Sequence, residues 1–390
     1  MPFLKNLIHS PRKLLLRTVF FQIHLWAGIF LSAYVAVIAV SGAILVFEDE
    51  LTADTLPPGL TRYDPAHAAT IPEVMRSFNR AYPGDRVANL NTPSSIVPAY
   101  QISAIDAQGR EFALVADPST AVLLNRPRNW VNWMHDLHLY LLLGAVDGLR
   151  VNGIGAAILL LLTITGLGLW WQGLKNWTRG LRISLRSHWR RINYDAHYAI
   201  GFWTLAIVFW WSLSGIYFAW YRQVGFIVNA FSPLRGMVQP ALPVLPAAGA
   251  RRASLDSILA AAQAASPRGR LFGISDSSLS GPTVFVQMDL RAPGDFSHRD
   301  LITLDAANAH VLAIWHYGRN QTAGDWIMWS MHPLHFGTLW GLGFKILWFL
   351  LGLSLAVLSV TGLIMYWNRY LRHRLHAVQR REAKKSLQQI

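Results

Sequence analysis

Four stretches of this chain are apolar almost without interruption, at 19–47, 151–172, 195–221 and 344–367. About 20 apolar residues suffice for a helix to cross a bilayer, so each stretch predicts a membrane-spanning helix. Between the spans the pattern changes period. Residues 70–82 (TIPEVMRSFNRAY) read as a helix, and alternating runs near 86–91, 98–105, 110–116 and 120–125 read as strands. After the third span, 253–266 reads as a helix, with strand-like runs near 270–275, 283–290, 300–304 and 310–316. Gly and Pro punctuate both sets, and PALPVLPAAGA at 240–250 reads as an irregular linker. The fold class is a membrane protein, an α-helical bundle of four transmembrane helices. It carries two small α+β modules, each one helix on an antiparallel sheet.

The apolar stretches repeat. HLWAGIFLSAYVAVIAVSG runs from His24 to Gly42, and HYAIGFWTLAIVFWWSLSG from His197 to Gly215. At about 3.6 residues per turn, positions eighteen apart share a helix face. His24, Gly28 and Gly42 therefore line one face, and His197, Gly201 and Gly215 line its counterpart. Trp130 to His138 (WVNWMHDLH) precedes the second span and Trp326 to His335 (WIMWSMHPLH) the fourth. The second and fourth spans each carry Thr-Gly, as Thr165-Gly166 and Thr361-Gly362. Two halves running in the same direction predict parallel repeats about an axis along the membrane normal. Because Pro is tolerated in a helix's first turn, Pro333 predicts that the last short helix starts near His332, with His335 inside it.

Charge sets orientation. Lys5, Arg12, Lys13 and Arg17 precede the first span; Lys175, Arg179, Arg182, Arg186, Arg190 and Arg191 lie in 173–192; Glu48, Asp49 and Glu50 follow the first span. By the positive-inside rule both termini are cytoplasmic and the segments 48–129 and 223–325 are outside. The order is then a tail and first helix (1–47), an outside module (48–129), and a His-bearing helix with the second span (130–172). A basic loop (173–192), the third span (193–222) and a second outside module (223–325) follow. A His-bearing helix with the fourth span (326–367) and a basic tail (368–390) complete the chain. The first span is too long for a cleaved signal and is followed by acids rather than small residues. The formal net charge of +14 is explained by the same inside bias, which removes the case for nucleic acid. The chain has no Cys, which excludes disulfides, iron–sulfur ligation and covalent haem.

A histidine inside a span is expensive and marks a functional site. One reading is a polar interhelical contact with glycines for close packing. The sharper one is a flat macrocycle held by imidazoles, non-covalent haem b, with glycines giving it room. His24 and His197 would hold an inner group. His138 and His335 would hold an outer one against Gly42 and Gly215, with His135 and His332 as the other members of each pair. A four-His site for zinc, copper or iron competes with the second haem. The tryptophans suit the membrane interface; Trp130, Trp133, Trp326 and Trp329, with Arg126, Arg128 and Arg319, are also candidates to wall an outer substrate site.

These motifs, with the strand–turn–strand at Asp117-Pro118-Ser119-Thr120-Ala121-Val122-Leu123, resemble the PepSY-associated transmembrane family over nearly the whole chain. Within it the chain looks most like the FoxB-type ferric-siderophore reductases of the bacterial inner membrane. The resemblance implies PepSY-like periplasmic modules, two haems b and ligands at His24, His138, His197 and His335. It implies a membrane quinol or cytoplasmic-side donor, and a ferric hydroxamate siderophore as the acceptor reduced in the periplasm. Asp305-Ala306-Ala307-Asn308-Ala309-His310-Val311-Leu312 departs from the pattern, lacking the first module's turn sequence. A haem conduit to another periplasmic acceptor and a non-redox regulatory membrane protein are the alternatives.

Overall fold

The computed structural model describes residues 15–236, 252–276, 281–291 and 297–372. The 240–250 linker, His9, His373, His376 and most of the two basic tails lie outside the described residues. In chain order the elements are α1 (Leu15–Leu45), α2 (Glu48–Asp54), α3 (Ile71–Ala81), β1 (Arg86–Asn91), β2 (Tyr100–Ile105), β3 (Glu111–Ala116) and β4 (Leu123–Asn125). Then come α4 (Trp130–Tyr140), α5 (Ala145–Trp170), α6 (Trp189–Ala219), α7 (Tyr221–Phe231) and α8 (Leu255–Ala265). They are followed by β5 (Arg270–Ser275), β6 (Thr283–Asp289), β7 (Arg299–Asp305), β8 (Val311–Tyr317), α9 (Ala323–Phe336) and α10 (Gly341–Tyr366). These divide into a helical unit, which includes Met134–Tyr221, and a sheet unit formed by Phe47–Trp133 and Arg222–Gly341.

In the helical unit, α1, α5, α6 and α10 with its continuation to Leu371 are each long and apolar enough to cross a membrane. Each contains one of the four apolar stretches, extended or trimmed at the ends. Leu31, Val35 and Ala39 of α1 meet Val208 of α6 and Leu355 of α10 in their common core. Glycine brings the backbones together: a Cβ on Gly155 would lie 2.2 Å from the Tyr34 ring, and one on Gly352 would lie 3.0 Å from Ala43 Cβ. Small residues of this kind are how helices associate where lipid removes the hydrophobic drive. The C-terminus of α5 leaves carbonyls without helical partners, and Arg17 of α1 supplies the donors. Its guanidinium bonds the carbonyls of Leu169 at 2.7 Å and Trp171 at 2.8 Å.

The sheet unit is one antiparallel sheet of eight strands in the order β4-β3-β2-β1-β5-β6-β7-β8. The expectation of two separate small modules is corrected here. The strands and helices fall where periodicity placed them, but β1 and β5 pair across the midline, Asn89–Asn91 against Gly273–Ser275. A Cβ on Gly273 would meet Asn91 Oδ1 at 2.5 Å, so glycine permits the approach. One core spans the sheet. Val74 and Phe78 of α3 and Ile258 of α8 pack with Leu90, Ile102, Ile274, Val286 and Ile302. Thr70 closes a capping box with Glu73 at the start of α3, which is why that helix begins there.

The segment expected to lack the first module's turn makes the same turn. Asp117 N–H bonds Val122 O, Ala121 N–H bonds Asp117 O, and Ser119 N–H bonds the Asp117 carboxylate. Asp305, His310, Ala309 and Ala307 repeat each contact. Ala121 (φ 56°) and Ala309 (φ 61°) share the left-handed conformation. The aspartate side chain and the backbone carry this turn, so Pro118 is dispensable to it.

The start of the last short helix is also corrected. Thr322 caps it in a box with Asp325, so α9 begins well before His332 and Pro333 lies in its last turns. Proline removes the N–H that would bond the carbonyl four residues back. That carbonyl, Trp329 O, accepts from the Tyr317 hydroxyl at 2.6 Å instead. Gly337 ends the helix in the left-handed conformation. His332 is therefore inside the helix and His335 is at its end, the reverse of the expectation.

Candidate functional site

His24 on α1 and His197 on α6 face each other, ring centres 6.4 Å apart and planes at 84°. Their Nδ1 atoms are committed. His24 Nδ1 is 3.1 Å from both Leu162 O and Thr165 Oγ1 of α5, and His197 Nδ1 is 2.9 Å from Thr361 Oγ1 of α10. Thr165 already donates its hydroxyl proton to Leu161 O at 2.8 Å, and Thr361 donates to Val357 O at 2.8 Å. A carbonyl accepts, and a hydroxyl that has donated its proton accepts, so each Nδ1 must carry the hydrogen. In the neutral ring that leaves the lone pair on Nε2. This is the state a metal ligand needs, with Nδ1–H anchored by backbone or side-chain oxygen. The Thr-Gly motifs are part of the same site. A Cβ on Gly166 would lie 3.2 Å from His24 Cε1, and one on Gly362 would lie 3.4 Å from His197 Cε1.

His138 on α4 repeats the device. Its Nδ1 is 3.1 Å from Ile38 O and 3.1 Å from Ser41 Oγ, and Ser41 donates to Val37 O at 2.7 Å. Gly42 lies under the ring, where a Cβ would be 2.6 Å from His138 Cε1. Asn152 holds the backbone behind it, Nδ2 to His138 O at 2.7 Å, and Tyr34 donates to Asn152 Oδ1 at 2.5 Å. His135 points elsewhere, its Nδ1 3.5 Å from Asp136 and its ring against Tyr140. Within the sheet unit, the His332 ring stacks on Phe336 at 4.2 Å, and His335 lies against the same phenylalanine at 5.5 Å. Burial, helped by the Arg299 guanidinium, pushes His332 down to about 4. It is neutral at ordinary pH.

The glycines of the two repeated stretches do different jobs. Gly42 accommodates an imidazole, and Gly215 meets Ala156, where a Cβ would lie 2.8 Å from its neighbour. Gly28 and Gly201 are under no such pressure, with a Cβ meeting only Leu162 at 3.9 Å or Leu358 at 3.7 Å. Of the aromatic residues offered as a substrate wall, Trp130, Trp133 and Trp326 are exposed. Trp329 is committed, its indole donating to Ser297 O at 2.8 Å. Arg126 reaches Gln101 Oε1 at 3.3 Å. Among the described residues no three His, Asp or Glu side chains converge as around a bare metal ion.

Sequence reasoning marked the histidines and missed what orients them. Ser41, Thr165, Thr361 and the Leu162 and Ile38 carbonyls are the acceptors. The signal for two of them was present in the repeated Thr-Gly, and a backbone carbonyl leaves no signal. The family model described as the PepSY-associated TM region matches residues 21–369. A comparison with curated proteins finds no match.

Proposed function

The chain belongs to the PepSY-associated TM-region family, and we propose that within it this is a haem-bearing reductase of the bacterial inner membrane. It passes electrons from a membrane quinol or cytoplasmic-side donor to a ferric hydroxamate siderophore in the periplasm, as the FoxB-type reductases do. The observation that carries the reading is the His24–His197 pair, adjacent with ring planes nearly perpendicular, both Nδ1–H groups anchored and both Nε2 lone pairs left over. Two imidazoles that shared one metal ion, each bonded at about 2 Å, would have ring centres no more than roughly 6 Å apart. The observed 6.4 Å is close to that limit. Gly28 and Gly201, one turn from each histidine, are not crowded by neighbouring helices, a Cβ there making only an ordinary contact with Leu162 or Leu358.

Haem b bound there supplies a one-electron iron couple whose potential the axial ligands and their hydrogen bonds tune. His24 and His197 would hold the iron, and Thr165, Leu162 and Thr361 fix the ring planes. By the sequence repeat of the two halves, His138 and His335 would be the ligands of a second haem. His135 and His332 are the other members of each pair. The short loop between α5 and α6 has no room for a dinucleotide-binding fold, which favours a quinol or a separate donor protein. Reduction takes Fe(III) in the chelate to Fe(II), which hydroxamate holds far less tightly, so iron leaves and the chelator survives.

A pyridine haemochrome assay against protein concentration tests the reading, with two haems b per chain expected. His24→Ala or His197→Ala should remove one haem, His138→Ala or His335→Ala the other, and His135→Ala or His332→Ala neither. Dithionite-reduced protein should be reoxidised by a ferric hydroxamate, with Fe(II) trapped by ferrozine. Protein without haem ends the reading. Haems oxidised by a periplasmic extract but by no ferric chelate would make it a conduit.

A further inference from the structure

The sheet unit has a cleft of about 1050 Å³ over the seam between its two half-sheets, lined from α3 on one side and α8 on the other. That volume suits one organic ligand of several hundred daltons. The floor is part apolar, with Phe272 of β5 beside Thr92 and Leu271. Phe272 is held from beneath by the Arg299 guanidinium, 3.6 Å from its ring centre. Arg299 also bonds Asp289, a cleft residue, at 2.6 Å, with both partners almost fully buried. The Asp289 charge is thereby neutralised within the wall.

The rest of the lining is unbalanced. Arg62, Arg76 and Arg270 reach the cleft, and among the described residues Asp256 is its one lining carboxylate with no arginine in an ion pair. Among the described residues no carboxylate lies within 4 Å of Arg62 or Arg270, although Arg62 is near enough to Asp64 to act on its charge. Arg270 is steadied by a carbonyl, Nη2 to Arg291 O at 2.6 Å. Arg76 has only Glu73 at 3.9 Å, and both side chains are exposed. A guanidinium fixed by a neutral acceptor, as that of Arg270 is, keeps its remaining donors for a ligand and matches the two oxygens of a carboxylate. The cleft is positive, part aromatic and built around the joint on which the whole sheet depends.

We propose that this cleft binds an anionic organic ligand bearing free carboxylates. Under the reductase reading, on which this extension rests, the ligand is a ferric chelate whose hydroxamate arms are joined to carboxylates. The cleft then discriminates by net charge between such chelates and neutral ones, with Arg62 and Arg270 as the specificity residues and Tyr63 and Phe272 as the apolar contact.

Calorimetric titration of the full-length protein with gallium(III) citrate reads binding without electron transfer, because gallium does not cycle as iron does. The expected result is saturable binding, weakened about tenfold in the Arg62→Ser/Arg270→Ser double variant, since two exposed charge contacts are lost. Arg110→Ser, which removes one cation on the β2–β3 turn far along the sheet, should leave binding unchanged. Raising salt from about 0.01 to 1 M should weaken binding as the screening length falls. Binding undiminished in the double variant overturns the proposal. Equal affinity for a neutral gallium trihydroxamate, or for inorganic phosphate, also overturns it. The two readings fail separately. Binding by a protein without haem sinks only the reductase, and ferric hydroxamate reduction without gallium citrate binding sinks only the cleft.

Discussion

Replacing Gly42 by Ala should dislodge His138, and the structure sets the scale. The new Cβ would lie 2.6 Å from Cε1, 3.2 Å from Nδ1 and 3.5 Å from Nε2, pressing on the Cε1 corner of the imidazole. Ordinary carbon contacts lie at about 3.5–4 Å, so the ring must retreat by about 1 Å. It is held by two bonds of 3.1 Å, to Ile38 O and Ser41 Oγ, on the same helix that carries the new methyl. A retreat of about 1 Å takes both beyond hydrogen-bond range. The loss is about 1 kcal/mol for the bonding and about 1–3 kcal/mol for overpacking. Gly28→Ala is the matched control, because nothing but Leu162 at 3.9 Å meets its Cβ. Without haem it should be neutral or stabilising by up to about 1 kcal/mol, from helix propensity alone. Thermal unfolding of both variants and the parent, as apoprotein in one detergent, reads the difference. An apo Gly42→Ala midpoint equal to that of the parent would refute the steric reasoning. Under the haem proposal, Gly28→Ala should lower haem occupancy although it leaves the haem-free protein intact.

Tyr317→Phe leaves Trp329 O without its donor and should cost about 1–2 kcal/mol. Pro333→Ala restores the helical N–H, so in that background the cost should largely vanish, which a double-mutant cycle on unfolding free energies checks. Asp117 is buried, which alone would raise its pKa. The N–H groups of Thr61, Thr120 and Ser119 and the Thr61 hydroxyl outweigh burial and hold it at about 2. A carboxyl depressed in the folded state stabilises above its unfolded value and loses that stabilisation as pH falls through the folded one. Wild type should therefore lose stability between about pH 4 and pH 2, and Asp117→Asn should flatten that part of the profile. An unchanged slope refutes the assignment.

The spans and strands were legible because each is a local pattern, and one residue's neighbours in sequence decide it. The β1–β5 pairing was not legible, because Asn89 and Ser275 say nothing of each other until a glycine at 273 lets the chains meet. Asp305 hid its turn for the opposite reason: the geometry belongs to an aspartate and a backbone conformation, so a search for the Asp117-Pro118 wording missed it. Pro333 misled because the residue that excuses it, Tyr317, comes from a strand sixteen positions earlier. At the site, the histidines announced themselves by cost and repetition. The proton on each Nδ1 could not be read from sequence, since it depends on which carbonyl a neighbouring helix presents.

The continuous sheet bears on how the chain avoids sticking to others. Two independent four-stranded sheets would expose four edge strands, whereas the fused sheet has two, β4 and β8. One of these, β4, is only three residues long, a poor template for another chain. The strands that would have been the inner edges, β1 and β5, occlude each other. Either half made alone would present a full-length strand with unsatisfied backbone, ready to recruit a second copy of itself. Co-expressed halves should instead find each other, and the early danger during biosynthesis is the interval after β1 has emerged and before β5 exists.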